Sequence, residues 1–241
     1  MDTTLAFVIL GAALAGFVQG LSGFGFSLTA MSIWAWTLDP RLAAPLAVFG
    51  GLAGQIIGVF SVRRGFEFAR LAPFVVGGLA GLPIGVWLLP RLDVPLFKLV
   101  LGGFLVIACP LMLFAERLPR ITHGGRFADA VAGAAGGVMG GLGGFTGVVP
   151  TLWSTLRGWE KDTQRAVIQN FNLAMLTVTF AGYLATGIVT AAQWPMLLAV
   201  LPAMVLPALA GARLYKRISA AAFRRVILVL LTLSGAALLA L

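Results

Sequence analysis

Charge is the first thing this chain is short of. Of its 241 residues only 10% are charged, with eight Asp and Glu, one His and one Cys among them; an ordinary soluble domain carries about 25%. The single cysteine, Cys109, excludes an internal disulfide and any cysteine cluster, and it reads as a small buried hydrophobe beside Pro110. All eight acids (Asp2, Asp39, Glu67, Asp93, Glu116, Asp129, Glu160 and Asp162) fall in loops or near the ends of apolar segments. No carboxylate is therefore expected in mid-segment to relay protons or ligate a metal, and His123 reads as a solvated loop residue. There is no HExxH pair, no Walker loop and no nucleophile with a paired base. Enzymatic chemistry, a cofactor and a metal site are accordingly not expected.

What replaces charge is apolar length. The chain is 60% hydrophobic with a mean hydropathy of +1.01, and nearly all of it divides into pieces of about 20 residues, the length that crosses a bilayer core. It reads as an all-α polytopic membrane protein. The formal charge of +9 lies in loops, where bases set orientation rather than bind nucleic acid. The start, Met1-Asp2-Thr3-Thr4, lacks the basic region of a signal peptide, so the first helix is expected to remain. Trp34, Trp36, Trp87, Trp153, Trp159 and Trp194 lie mostly toward segment ends, as interfacial anchors do.

Two stretches interrupt the apolar pattern. The first run, about 4–38, is too long for one span and breaks within QGLSGFGFSLT (19–29); the second break is GGLGGFTGVVPT (140–151). At an offset of 121, Gly20, Leu21, Gly23 and Phe24 fall on Gly141, Leu142, Gly144 and Phe145, Asp39 falls on Glu160, and Leu52-Ala53 fall on Leu173-Ala174; Gly85, Phe97 and Val100 match Gly211, Phe223 and Val226 at 126. The polar linker 116–126 divides the halves, giving repeat 1 over 1–115 and repeat 2 over 127–241. Each consists of a broken hairpin (4–38 and 127–157) followed by three spans, near 42–62, 71–89 and 95–114, then 166–186, 194–214 and 221–241.

Charge distinguishes two topologies. If each broken segment crosses once, the better orientation places 11 of 17 bases inside; if each is a hairpin returning to its own side, 14 of 17 are inside. Hairpins give each half an odd number of crossings, so the repeats are expected to be inverted, with both termini outside the cytoplasm. Broken helices meeting at the midplane of inverted repeats are a common transporter architecture.

A chain break inside a bilayer exposes backbone groups at several kcal/mol each, on the order of a lost hydrogen bond in hydrocarbon, unless something satisfies them. The helix leaving each turn points free N–H groups and partial positive charge inward, and Pro150 suits its first turn. Glycines admit a ligand, and Ser22, Ser27, Thr29, Thr146 and Thr151 offer hydroxyls, which together suit an anion. Close helix packing is the competing explanation for such glycines. A second cluster, Gln169, Asn170 and Asn172, places three amides within four residues of a span, where polar side chains point to function and can donate to an anion without adding a charge to trap it; interhelical hydrogen bonding is the competing explanation, and Gln19 and Gln55 are weaker versions of the same signal. Arg165, a turn before that cluster, reads mainly as a topology determinant. The expected site is Gln19, Ser22, Gly23, Gly25, Ser27, Gly143, Gly144, Thr146, Gly147, Gln169, Asn170 and Asn172.

The duplicated break, GLSGFGFSLTA and then GGLGGFTGVVP, each followed by a polar loop and further spans, resembles the TauE/SafE sulfite exporter family, the TSUP transporters, over the whole chain. The resemblance implies export of small sulfur-containing or organic anions such as sulfite, sulfonates or thiosulfate across a bacterial inner membrane. The expected partners of the chain are a small anion and the lipid bilayer, with a homo-oligomer possible. An uncoupled anion channel and a non-transporting scaffold are the rival readings.

Overall fold

A computed structural model describes residues 3–22, 25–61, 65–214 and 220–240, with only the backbone described at Ser22, Phe60, Ser61 and residues 220–224. Among these residues the chain is helical: α1 Thr3–Ser22, α2 Phe26–Trp34, α3 Pro40–Ser61, α4 Phe68–Leu88, α5 Val94–Phe114, α6 Gly125–Gly143, α7 Val148–Leu156, α8 Lys161–Ala185, α9 Trp194–Leu214 and α10 Ala220–Leu239. Six of these helices are long and apolar enough to cross a membrane, namely α1, α3, α4, α5, α8 and α9. The chain is thus a multi-pass membrane protein.

The breaks lie where the glycines put them. α1 ends at Ser22 and α2 starts at Phe26, with Gly25 at φ 99°; α6 ends at Gly143, with Gly144 at φ 79° closing it. Both are left-handed conformations that a side chain would strain. After each break the short helix folds back along the long one. In the first hairpin the Phe26 N–H donates to Gln19 Oε1, and further down the Trp34 indole donates to the Phe7 carbonyl. In the second, Gly136 lies against Thr146 and Pro150, while Trp153 donates to Asp129 and Arg157 pairs with the same carboxylate at 3.3 Å. Trp34 is therefore an internal residue, fully buried with its edge on Phe26, and not an interfacial anchor.

Elsewhere small residues let backbones touch. Gly77, Gly81 and Gly85 of α4 face the Ala130, Ala134 and Val138 carbonyls of α6, and Gly133 and Gly137 face the Phe74 and Gly78 carbonyls in return. α1 meets α9 in the same way, Gly16 against Met204 and Gly20 against Ala208. In a bilayer, packing of this kind replaces the hydrophobic drive that lipid cannot supply. Both series advance together, so α4 runs parallel to α6 and α1 parallel to α9. Gly51 lies near Leu176, Phe49 near Phe180 and Gly65 near Ala166, so α3 and α8 run antiparallel.

Polar groups are matched to helix ends. Asp93 caps α5 by accepting from the Leu96 N–H at 2.8 Å. Pro45 inside α3 leaves the Arg41 carbonyl without its helical donor, and Gln193 supplies one. α8 begins at Lys161, earlier than its apolar stretch, because Glu160 and Asp162 suit a helix start.

Candidate functional site

The two breaks come together. Gly144, at the end of α6, lies so close to α2 that a β-carbon on it would sit 2.6 Å from Ser27 Oγ; one on Gly147 would sit 2.7 Å from the Asn172 amide. Between these groups is a cavity of about 340 Å³ including its mouth, lined by both helix starts (Gly25 to Leu28, and Gly144 to Val148) and by Gln19, Gly51, Gln55, Asn172 and Leu176. Its enclosed part is only about 30 Å³, room for a guest of a few heavy atoms at most. Gly51 and Gln55 occupy the middle of α3, and Asn172 and Leu176 the middle of α8.

The polar groups in this lining are almost wholly buried: Gln19, Ser27, Gln55, Thr146 and Asn172 are each 5% exposed or less. Their hydrogen bonds give the cavity a direction. Gln19 Oε1 accepts from the Phe26 N–H at 3.2 Å, and Asn172 Oδ1 accepts from the Thr146 hydroxyl at 2.8 Å. Both amides thus spend their acceptor on the protein and have NH2 hydrogens left for a guest. Within α2 the Thr29 N–H reaches the Gly25 carbonyl, and the N–H groups of Ser27 and Leu28 precede the first helical bond. In α7 the Thr151 N–H reaches the Gly147 carbonyl in the same way, and Pro150 has no N–H to satisfy. The two hydroxyls are oriented oppositely to the amides: Ser27 donates to the Ala47 carbonyl at 3.1 Å and Thr146 to Asn172 Oδ1, so both keep lone pairs for the cavity.

Seven of the expected residues line this cavity: Gln19, Gly25, Ser27, Gly144, Thr146, Gly147 and Asn172. Gly143 is next to it, packed on the Phe145 ring and Met31. Gln169 is buried and already engaged, and Asn170 points away to donate to the Gly65 and Ala166 carbonyls at 3.1 and 2.8 Å. Gly23 and the Ser22 side chain lie outside the described residues. Thr29 and Thr151 are buried hydroxyls without a partner among the described residues, and neither lines the cavity. Gln55 and Gly51 line the cavity as well, and their four-residue spacing on one helix face is the signal that the sequence carries for them. Asp129, by sequence only an acid near a segment end, is buried against Arg157 and Trp153, where it fastens the base of the second hairpin.

Glycine-packed helices around a small polar cavity at mid-span are an arrangement that membrane transport proteins use. Among known families, the model of the sulfite exporter TauE/SafE family matches residues 8–238. The chain belongs to that family of membrane transporters. No curated protein and no solved structure matches it.

Proposed function

We propose that the protein exports small sulfur-containing or organic oxyanions, of the class of sulfite, sulfonates and thiosulfate, across a bacterial inner membrane. The anion is held between the two hairpin tips and is exposed to each side in turn. The observation that carries this reading is the lining of the cavity: two buried amides whose oxygens are already taken, beside two helix starts, converge on one space. The amides and helix starts of this lining donate hydrogen bonds and suit an anion without trapping it by a full charge.

Repeat 1 (1–115), the linker 116–126 and repeat 2 (127–241) are read here as inverted copies, each hairpin entering the bilayer from its own side. In support, exchanging α1 to α5 for α6 to α10 turns the α1–α9 packing into α6–α4, and maps α3–α8 and α5–α10 onto themselves. The parallel and antiparallel senses of those pairs obey the same exchange. A cavity at mid-span, where inverted repeats meet, is the place for alternating access.

The test is direct. The purified protein in detergent is expected to gain thermal stability from members of a panel of sulfite, thiosulfate, sulfoacetate, methanesulfonate and small carboxylates, and proteoliposomes are expected to show saturable flux of the stabilising anions. If no anion stabilises or crosses, the reading is overturned. The absence of any acid from the cavity lining favours one alternative, a facilitator without a coupling ion. Flux unaffected by an opposing proton or sodium gradient would identify it.

A further inference from the structure

We infer that the site selects an oxyanion bearing one negative charge over one bearing two, and that Ser27 supplies the acceptor that recognises the hydrogen of a protonated oxyanion such as hydrogensulfite. This rests on the oxyanion reading above and narrows it.

The first part follows from counting charge at the cavity. None of its lining residues is ionisable. The titratable groups on the helices around it are placed elsewhere. Arg41 opens α3 and donates to the Pro90 carbonyl, and Arg126 opens α6. Asp129 is paired with Arg157 at the base of the second hairpin. Lys161, Asp162 and Arg165 lie in the first two turns of α8, and Tyr183 donates to the Gly141 carbonyl at 2.7 Å. α1, α2 and α7 carry no ionisable side chain. The positive potential in the cavity therefore comes from the starts of α2 and α7, each equivalent to at most about half an elementary charge, and the carbonyl ends of α1 and α6 at the same breaks offset part of it. Together the two starts balance at most about one negative charge. A second would stand uncompensated in a low-dielectric interior, the costliest condition for a buried ion.

The second part follows from the direction of the hydrogen bonds. Gln19 and Asn172 have hydrogens to give, and bare oxygens of any oxyanion can accept them. Ser27 has already given its hydrogen to Ala47, and its oxygen lies beside Gly51 and Gly144 at the junction of the two tips. Against a fully deprotonated dianion that oxygen would face another acceptor, which is repulsive. Against an O–H group it completes a bond. The dianion is thus penalised twice, by its charge and by the missing hydrogen opposite Ser27; Thr146, whose hydrogen goes to Asn172, adds a second acceptor of the same kind.

The experiment is equilibrium binding to the purified full chain at constant ionic strength, by calorimetry or thermal stabilisation. Three probes are compared on the acid and the alkaline side of the second ionisation of sulfurous acid: methanesulfonate, always singly charged; sulfate, doubly charged throughout; and sulfite, which changes from one to the other. Methanesulfonate is expected to bind equally on both sides, and sulfate at least about a hundredfold more weakly. Total sulfite is expected to lose affinity in step with the loss of hydrogensulfite. Ser27→Ala is expected to narrow the preference for hydrogensulfite over methanesulfonate by about fivefold. Ser27→Cys, with a weaker acceptor of similar size, serves the same purpose if the alanine variant fails to insert. Sulfate or alkaline sulfite binding as well as methanesulfonate would overturn the inference and leave the oxyanion reading standing. An unchanged preference in both Ser27 variants would overturn the role of that hydroxyl. Failure of all three probes on both sides would reject the oxyanion reading itself.

Discussion

Asn172 is the residue on which the proposed anion site turns, because its oxygen accepts from Thr146 at 2.8 Å and its NH2 group is on the cavity side of the pair. Replacing it with aspartate keeps an oxygen for Thr146 but turns the donor into a second acceptor with a negative charge. Two like charges about 4 Å apart repel by about 4 kcal/mol at an effective dielectric constant of about 20. Asn172→Asp is therefore expected to insert normally and to lose anion flux in proteoliposomes by two orders of magnitude or more, on the order of that repulsion. Asn172→Ala, which only removes donors, is expected to lose about tenfold; equal losses in the two variants would argue against an anion at this amide. Gly144 makes a different point. With φ at 79° and Ser27 Oγ 2.6 Å from where its β-carbon would stand, Gly144→Ala is expected to cost about 1–2 kcal/mol in backbone strain alone, read as a lower unfolding midpoint together with lost flux. The sequence shows the amide cluster but not which member faces the guest. Positions 169, 172 and 176 share a helix face, whereas Asn170 is rotated about 200° from Asn172 and reaches the Gly65 carbonyl instead.

Broken helices were legible as elements because a glycine-rich interruption of an apolar run has few other uses, and the spans were legible because hydrophobic length leaves little choice. Which helix packs on which was not legible, since glycines at four-residue spacing say only that something approaches closely. The structure identifies the approaching groups as backbone: the Gly78 carbonyl against Gly137, and the Ala134 carbonyl against Gly81. A methyl group at either glycine must force α4 and α6 apart. Gly137→Ala is expected to cost about 1–3 kcal/mol and to lower the apparent unfolding midpoint by about 5 °C. Gly103 is the internal control. A β-carbon there meets nothing within 4 Å, so Gly103→Ala is expected to leave the midpoint unchanged or raise it slightly through its better helix propensity. Equal destabilisation by the two substitutions would remove backbone contact as the reason for the glycine stripe.

At the scale of the whole molecule, contacts between distant loops sort the chain ends into two faces. On one, Arg41 donates to the Pro90 carbonyl and Gln193 to the Arg41 carbonyl, which gathers residues 39–41, 90–93 and 190–193. On the other, Asn170 holds Gly65, Arg70 lies over Trp159 at 5.4 Å, and Arg120 lies against Gly158, which gathers 65–70, 117–126 and 157–166. The first face has Arg41, Arg91 and Lys98, while the second has Arg70, Arg117, Arg120, Arg126, Arg157, Lys161 and Arg165. That asymmetry was legible from charge alone, because retention of Lys and Arg on the cytoplasmic side acts on loops before they pack. By that rule the second face is proposed as the cytoplasmic one, so that α1, which starts beside Trp34 on the first, would begin on the outer side. Cysteine labelling in intact cells tests this with little background, since the one native thiol, Cys109, is buried. Asp93→Cys and Gln193→Cys are expected to react with a membrane-impermeant maleimide, and His123→Cys and Asp162→Cys only after permeabilisation. Labelling of Asp93→Cys and His123→Cys from the same side would mean that an even number of crossings separates positions 93 and 123. The two hairpins could then not enter from opposite faces, and a cavity between their tips could not open to each side in turn.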